Sequence, residues 1–163
     1  MAILTLKTTG EKRLQRKFTS LAKGMKNRKP LFKGIGVELI NEIGRTFKSQ
    51  TWEGTHWIDI KPATKASRRR GEGVGSPQIL IDTSTLRNSF DVEATNNQVR
   101  VGSPLFLRKK DTGKVVENYG EIHEKGLGNV PQRRMIPSLK RGLEIAIEQA
   151  RNFTRKNISK AKL

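Results

Sequence analysis

Three long segments of the chain carry apolar residues at the three- and four-residue spacing of an α-helix. The segments are Thr9–Lys26, Leu31–Ser49 and Ser138–Asn157. Their apolar faces consist of Leu14, Phe18, Leu21 and Met25 in the first, Leu31, Ile35, Leu39, Ile43 and Phe47 in the second, and Leu139, Leu143, Ile147, Ala150 and Phe153 in the third. Pro30 suits the first turn of the second helix, because the N–H that proline lacks would be unsatisfied there. The pattern predicts long helices near both ends of the chain, packed on a core through these faces.

Three glycines, Gly34, Gly36 and Gly44, interrupt the second predicted helix. Each lowers helix stability by up to about 1 kcal/mol relative to alanine. Two interpretations are open at this point. Another backbone approaches the helix closely, or the fold simply tolerates the cost.

The stretch Ile79–Phe90, reading ILIDTSTLRNSF, changes its pattern twice. The apolar run Ile79–Ile81 is typical of a buried strand. The residues that follow are all good helix N-caps, namely Asp82, Thr83 and Ser84. Leu86 then begins a helical turn, and from Ser89 onward apolar and polar residues alternate as in a strand. We predict a strand, a capped helical turn and a second strand here, with Leu86 in the core.

The remainder of the chain reads as short elements and loops. Thr51–Pro62 is predicted to be an aromatic loop that Trp52 and Trp57 clamp onto the core. Phe90–Gly102 is predicted to be a β-hairpin with its turn at Asn96-Asn97, and Leu105–Val116 a second strand pair or a loop with a turn at Asp111-Thr112-Gly113. A short helix is predicted at Asn118–Gly126 and an extended connection at Asn129–Ser138. Together the elements predict an α+β fold. An antiparallel sheet of about four strands would pack against the long N-terminal and C-terminal helices.

The length of 163 residues suits one domain over residues 1–163. Within it, residues 1–28 are expected to form a basic N-terminal helix or arm. The polar run at residues 61–77 predicts a mobile loop, since long loops in compact domains are usually functional or disordered. Residues 158–163 are expected to be a frayed tail.

The most informative feature of the composition is the formal net charge of +18, because it bears on the binding partners of the protein. Such a charge favours contact with a polyanion and resists self-association unless a partner neutralises it. The candidate contact residues are Lys12, Arg13, Arg16, Lys17, Arg68, Arg69, Arg70, Arg108, Lys109 and Lys110. Each cluster is either a solvated face or a contact for an acidic partner. That partner would be DNA or an acidic protein surface.

Several classes of protein are disfavoured by composition. The chain has no cysteine, which excludes disulfides and thiolate metal sites. No apolar run approaches the roughly 18 residues of a membrane span, and the N-terminus lacks the pattern of a signal peptide. We therefore expect no membrane contact and an intracellular origin.

The candidate catalytic chemistry is sparse. His56 and Asp59 lie three residues apart, and His123 is followed by Glu124, so a metal or nuclease site can be imagined. Two histidines and scattered carboxylates arise by chance in most chains, however, and the GEGVGSP segment lacks the Lys-Ser/Thr ending of a P-loop. We expect no enzymatic activity, no cofactor and no metal, and we expect His123 to order the end of a helix.

A set of short motifs follows a fixed order between about Leu31 and Leu143. They are Phe47, Trp57, Thr64, ILIDTSTLRNSF, VRVGSP, YGEIHEKG and VPQRRMIPSL. Their order and spacing resemble the phage virion morphogenesis family, the tail-completion proteins of Mu-like and P2-like tailed phages. The residues that match the family's motifs are Trp57, Asp82, Thr83, Leu86, Arg87, Ser89, Tyr119, Ile122, His123, Gly126, Pro131 and Arg133. The basic first helix lies outside this resemblance.

The sequence departs from the family's pattern at four positions. Ser84 stands where glycine is usual, so a positive φ is less expected there. Gly120 replaces a common alanine, Arg134 a common proline and Met135 a common aromatic residue. The last two substitutions affect the expected course of the connection at 129–138.

The resemblance implies a structural virion protein at the neck of a tailed phage. Such a protein would assemble as a homo-oligomeric ring, most often a hexamer, between the head connector or adaptor and the tail tube or terminator proteins. It would reside in the virion at the junction of head and tail, and in the host cytoplasm during assembly. The positive charge would then serve either a ring around the DNA channel or a ring that docks on an acidic connector, and any contact with genomic DNA would be to phosphates, without sequence specificity. The competing hypotheses are a free-standing DNA-binding protein and a small metal-dependent nuclease.

Overall fold

The computed structural model describes residues 11–67, 78–81, 84–103, 106–108 and 115–161. Its helices are α1 (Glu11–Lys26), α2 (Lys29–Ser49), α3 (Pro62–Ser67), α4 (Thr85–Asn88), α5 (Tyr119–Lys125) and α6 (Leu139–Ala161). Its strands are β1 (Thr51–Trp52), β2 (Thr55–His56), β3 (Asp91–Ala94), β4 (Val99–Gly102), β5 (Phe106–Arg108) and β6 (Val115–Asn118). The fold is α+β, as predicted, with long helices near both ends.

The helix α2 lies between α6 on one side and the β3–β4 hairpin on the other. Pro30 stands in its first turn, as the sequence predicts, and Ile35, Ile43 and Phe47 are buried. The helix ends where Gln50 adopts a left-handed conformation with φ of 58°. This ending turns the chain at once into the two-residue strand β1.

The strands pair only two by two. β3 and β4 form the predicted hairpin, in which Asp91 is opposite Gly102 and Ala94 is opposite Val99. β1 pairs with β2, and β5 pairs with β6, so Leu105–Val116 contains part of a strand pair. The predicted sheet of about four strands is not shown, because the described strands form three separate two-stranded sheets. The turn at Asp111-Thr112-Gly113 lies outside the described residues.

The run Ile79–Ile81 is buried but is not a strand, so that prediction was wrong. The side chain of Gln50 takes the place of a strand neighbour. Its Oε1 accepts a hydrogen bond from the backbone N–H of Ile79 at 2.6 Å, and its Nε2 donates to the carbonyl of Ile79 at 3.3 Å. With its polar groups satisfied by this amide, Ile79 needs no sheet partner.

A single cluster of side chains forms the centre of the core. Its members are Ile43, Phe47, Trp57, Ile79, Leu80, Ile81, Leu86 and Met135. Phe47 packs edge-on against Trp57, with ring centroids 5.5 Å apart, and lies against Phe90 at 6.2 Å. Leu86 is buried in this cluster, as predicted. The core thus joins α2, the aromatic loop and the central stretch.

The glycines of α2 differ in their surroundings. At Gly36 an added Cβ would overlap the Val92 side chain and lie 2.9 Å from Cγ2 of Val99, both in the hairpin. At Gly44 an added Cβ would meet nothing within 4 Å. Close approach of the hairpin therefore explains Gly36, whereas the fold tolerates Gly44.

Ser84 adopts a positive φ of 58° immediately before α4, which corrects the expectation drawn from the absent glycine. The Ser84 side chain itself makes no capping hydrogen bond. Serine accepts the left-handed conformation at a cost that glycine would not bear. The other two predicted caps, Asp82 and Thr83, lie outside the described residues.

The inward face of α6 is not the predicted one. Leu139, Leu143 and Ile147 are 90%, 58% and 45% exposed, whereas Ile145 is 2% exposed. The helix turns Arg141 and Gln149 toward α2 instead: Arg141 Nε donates to Glu42 at 3.2 Å, and Gln149 lies against Gly34. Because Arg141, Ile145 and Gln149 recur every four residues, the ion pair and the buried isoleucine fix a face about 140° around the helix from the predicted stripe.

The bounds of the predicted arm, loop and tail also change. α1 packs along α6 but buries none of its own residues, so Leu14 and Phe18 of its predicted apolar face stay exposed. Pro62–Ser67, the beginning of the predicted loop, is helical, and residues 68–77 lie outside the described ranges. α6 continues to Ala161, into the predicted tail.

Candidate functional site

The residues of the last two family motifs meet the aromatic loop at one place. The connection 129–138 runs between this loop and α5, held by side chains from both. We call this arrangement the clasp; it comprises Trp52, Glu53, Trp57, His123, Glu124 and the connection 129–138, which contains Arg133. Trp57 Nε1 donates to the carbonyl of Arg134 at 2.8 Å, and Trp52 Nε1 donates to the carbonyl of Ile136 at 2.8 Å. The two indoles thus fix the connection through its backbone.

Arg133 is the charged centre of the clasp. Arg133 is only 5% exposed, and its Nε donates to the carbonyl of Ile58 at 2.9 Å. A second nitrogen donates to the carbonyl of Asp59 at 3.3 Å, and its backbone N–H donates to the carbonyl of His123 at 2.7 Å. A buried cation requires such partners, since an unpaired one is costly. The guanidinium therefore serves the fold and faces inward.

His123 lies beside it, 7% exposed. Burial, and secondarily the charge of Arg133, lowers the pKa of His123 to about 4. The imidazole is consequently neutral near pH 7. A buried, neutral ring inside the clasp fits the predicted ordering role better than that of an exposed ligand or base.

Gly126 ends α5 beside His123. Its φ is +69°, and its N–H donates to the carbonyl of Ile122 at 2.8 Å. An added Cβ would lie 2.9 Å from the backbone nitrogen of Gln132 in the connection. Glycine is required here both for the left-handed turn and for the close approach of the connection.

Carboxylates complete the clasp. Glu124 Oε2 accepts hydrogen bonds from the backbone N–H of Met135 at 2.6 Å and of Ile136 at 3.1 Å. Glu53 Oε1 accepts from the N–H of Ser138 at 3.0 Å, and the bonding with Ser138 lowers the pKa of Glu53. Sequence reasoning missed both roles. The only available signal was that Glu124 follows His123 in a motif, and the spacing does not reveal a target eleven residues away.

The other family-motif residues lie apart from the clasp. Ser89 Oγ donates to the carbonyl of Leu86 at 2.7 Å and so closes α4. Arg87 is exposed and lines an open groove with Arg45 and Lys48. Pro131 is half-buried in the connection. Tyr119 begins α5, but its side chain is outside the described part.

The predicted polyanion residues are only partly described. Arg68, Arg69, Arg70, Lys109 and Lys110 lie outside the described residues, and Arg108 is described only as backbone in β5. The α1 residues divide into two sets: Lys12 and Arg16 line a groove, whereas Arg13 and Lys17 do not. Lys156 and Lys160 of α6, which the predicted set omits, line its continuation.

Two features of the described ranges concern metal ligands and membrane-spanning helices. No group of three histidines, cysteines or acidic residues that could hold a metal ion occurs among the described residues. His56 is exposed in β2, whereas His123 is buried. None of the helices described combines the length and apolar character that crossing a bilayer requires.

Comparison with known proteins gives one result. The family model described as the phage virion morphogenesis family matches residues 10–147. The match includes α1, which corrects the expectation that the basic first helix lies outside the resemblance. No curated protein and no solved structure matches the chain.

Proposed function

The chain belongs to the phage virion morphogenesis family, and we propose that it acts in a tailed phage as a tail-completion subunit joining head to tail. Membership itself implies a structural and assembly role in the virion. The proposal adds the place and the form. The protein forms a homo-oligomeric ring, a hexamer by preference, at the neck. Its neighbours there are the head connector or adaptor and the tail tube or terminator proteins.

The observation that carries the proposal is the family match across α1, α2, the central stretch and the clasp. Within the clasp, the matched residues Trp57, His123 and Arg133 point inward and bond to the chain itself. They support a rigid building block and leave the contacts with neighbours to other surfaces. A subunit of this kind needs no catalytic centre.

Exposed apolar side chains support an assembly role. Leu139, Leu143 and Ile147 lie on one side of α6, and Leu14 and Phe18 lie on one side of α1. Exposed apolar patches commonly mark protein–protein interfaces. A head-to-tail contact between different faces of identical subunits closes into a ring when its rotation allows.

A second candidate function is phosphate contact with DNA, without sequence specificity. The net charge of +18 favours it. In that case the protein would bind duplex as a monomer, and its affinity would fall steeply with salt.

Sedimentation of the purified protein, with and without duplex DNA, tests the two candidates. A ring that persists in high salt and without DNA supports the neck role, since apolar contacts resist salt. A monomer that sediments faster only with DNA would replace the proposal by the second candidate.

A further inference from the structure

An open, cationic groove runs along α1 and, in its second half, between α1 and α6. Its cations are Lys12, Arg16 and Lys23 from α1 and Lys156 and Lys160 from α6, and we call it the basic groove. It consists of two adjoining cavities of about 600 and 470 Å³ that share Ser20 and Lys23. None of the described residues that line it is acidic. The acidic residues of α6, Glu144 and Glu148, precede the groove.

The cations of α1 form a row. At 3.6 residues per turn, Lys12, Arg16 and Lys23 fall within about 40° of one another around the helix. They span eleven residues, or about 17 Å at 1.5 Å per residue. That length is roughly the axial rise of five nucleotides in one strand of B-DNA. The row can therefore follow a phosphate backbone.

The remaining lining suits phosphate better than an acidic protein. Between the cations stand polar side chains of the types that commonly contact phosphate in protein–DNA complexes: Gln15, Thr19, Ser20, Asn27 and Asn157. The apolar residues that line it are Phe153 and Pro30. A protein interface usually centres on buried apolar anchors. The exposed apolar residues of α1 that would serve as such anchors, Leu14 and Phe18, lie on the opposite side of the helix from the basic groove, as the helical spacing places them.

We propose that the basic groove binds the phosphate backbone of duplex DNA without reading its bases. α1 then has two binding faces: an apolar face contacts a protein neighbour, and a cationic face contacts DNA. Lys156 and Lys160 lie beyond residue 147, where the family match ends, so the match does not account for these two cations. The inference rests on the second candidate function and deepens it, because it assigns the phosphate contact to one groove, and it stands whether or not the copies form a ring.

Two charge-matched triple variants of the full chain test it. The groove variant is Lys23→Gln, Lys156→Gln and Lys160→Gln. The control is Arg13→Gln, Arg151→Gln and Arg155→Gln, three exposed cations outside the groove that lower the net charge equally. The binding of a fluorescent 30-base-pair duplex is measured by anisotropy over a series of salt concentrations, and binding of polyglutamate is measured beside it. Circular dichroism verifies the fold of both variants.

The groove variant should lose at least about tenfold in DNA affinity, and its slope of log affinity against log salt should become shallower by about 2 to 3. The control variant should change both the DNA affinity and the salt slope by much less. Equal losses in both variants would show that net charge alone drives binding and would overturn the proposal. So would a groove variant that loses polyglutamate binding but keeps DNA binding. Should a triple variant fail to fold, Lys156→Gln with Lys160→Gln is compared with Arg151→Gln and Arg155→Gln.

Discussion

Replacing Gly36 by alanine should destabilise the protein, although alanine is the better helix former. Helix propensity alone favours the change by about 1 kcal/mol. The new Cβ, however, would overlap Val92 and lie 2.9 Å from Cγ2 of Val99. These methyl groups sit next to the hairpin backbone and cannot swing aside as the end of a long side chain can. Overpacking of this kind costs about 1–3 kcal/mol, so after the gain in helix propensity the net loss should be up to about 2 kcal/mol.

Gly44→Ala in the same helix is the matched control. It makes the same chemical change where an added Cβ meets nothing within 4 Å. Only helix propensity acts there, so this variant should gain up to about 1 kcal/mol. The two variants should therefore shift stability in opposite directions.

Urea unfolding followed by circular dichroism gives the midpoint and the m-value for each variant. We expect a lower midpoint for Gly36→Ala, a higher one for Gly44→Ala and unchanged m-values. If Gly36→Ala stabilised the protein as much as Gly44→Ala, the hairpin would not pack on α2 as described.

Three further predictions concern the clasp and the central stretch. Glu124→Ala should cost about 2–3 kcal/mol in urea unfolding, because two backbone N–H groups of the connection lose a charged acceptor. Glu121→Ala on the same helix removes an exposed ion pair with Lys125, which is worth at most about 0.5 kcal/mol, and it should cost clearly less than Glu124→Ala; equal costs would contradict the role assigned to Glu124. The folded-state pKa of His123 lies below its ordinary value, so stability is present above about pH 6.5 and should fall by up to about 3 kcal/mol toward pH 4. His123→Gln should flatten that part of the pH profile, and an unchanged profile would exclude His123 as its source. Ser84→Gly should raise the melting temperature by about 2–4 °C, since glycine relieves a positive φ; a decrease would argue against the left-handed Ser84.

The sequence predicted elements well where one pattern acted alone. The apolar spacing of α2 was sufficient to predict this helix and its buried face, because Ile43 and Phe47 fall on that face and Pro30 marks the beginning of the helix. The position of Leu86 in the core followed from the same kind of pattern. The hairpin of β3 and β4 followed from alternation and a turn of asparagines.

Long-range polar contacts account for what the sequence did not predict. Ile79 was predicted to lie in a strand, but its backbone N–H and carbonyl bond to the side-chain amide of Gln50, 29 residues away in sequence, and need no strand partner. The inward face of α6 was set by Arg141 pairing with Glu42 as well as by Ile145, so counting apolar residues selected the wrong side. In the clasp, the residue types were visible, but the partners of Arg133 and Glu124 were not.

Head–tail joining in a phage that lacks this gene tests the central claim most directly. Electron microscopy of the lysate should show filled heads and separate tails, and adding the purified protein should produce joined, infectious particles. Normal particles in the absence of the gene, or heads and tails that the added protein fails to join, would contradict the account.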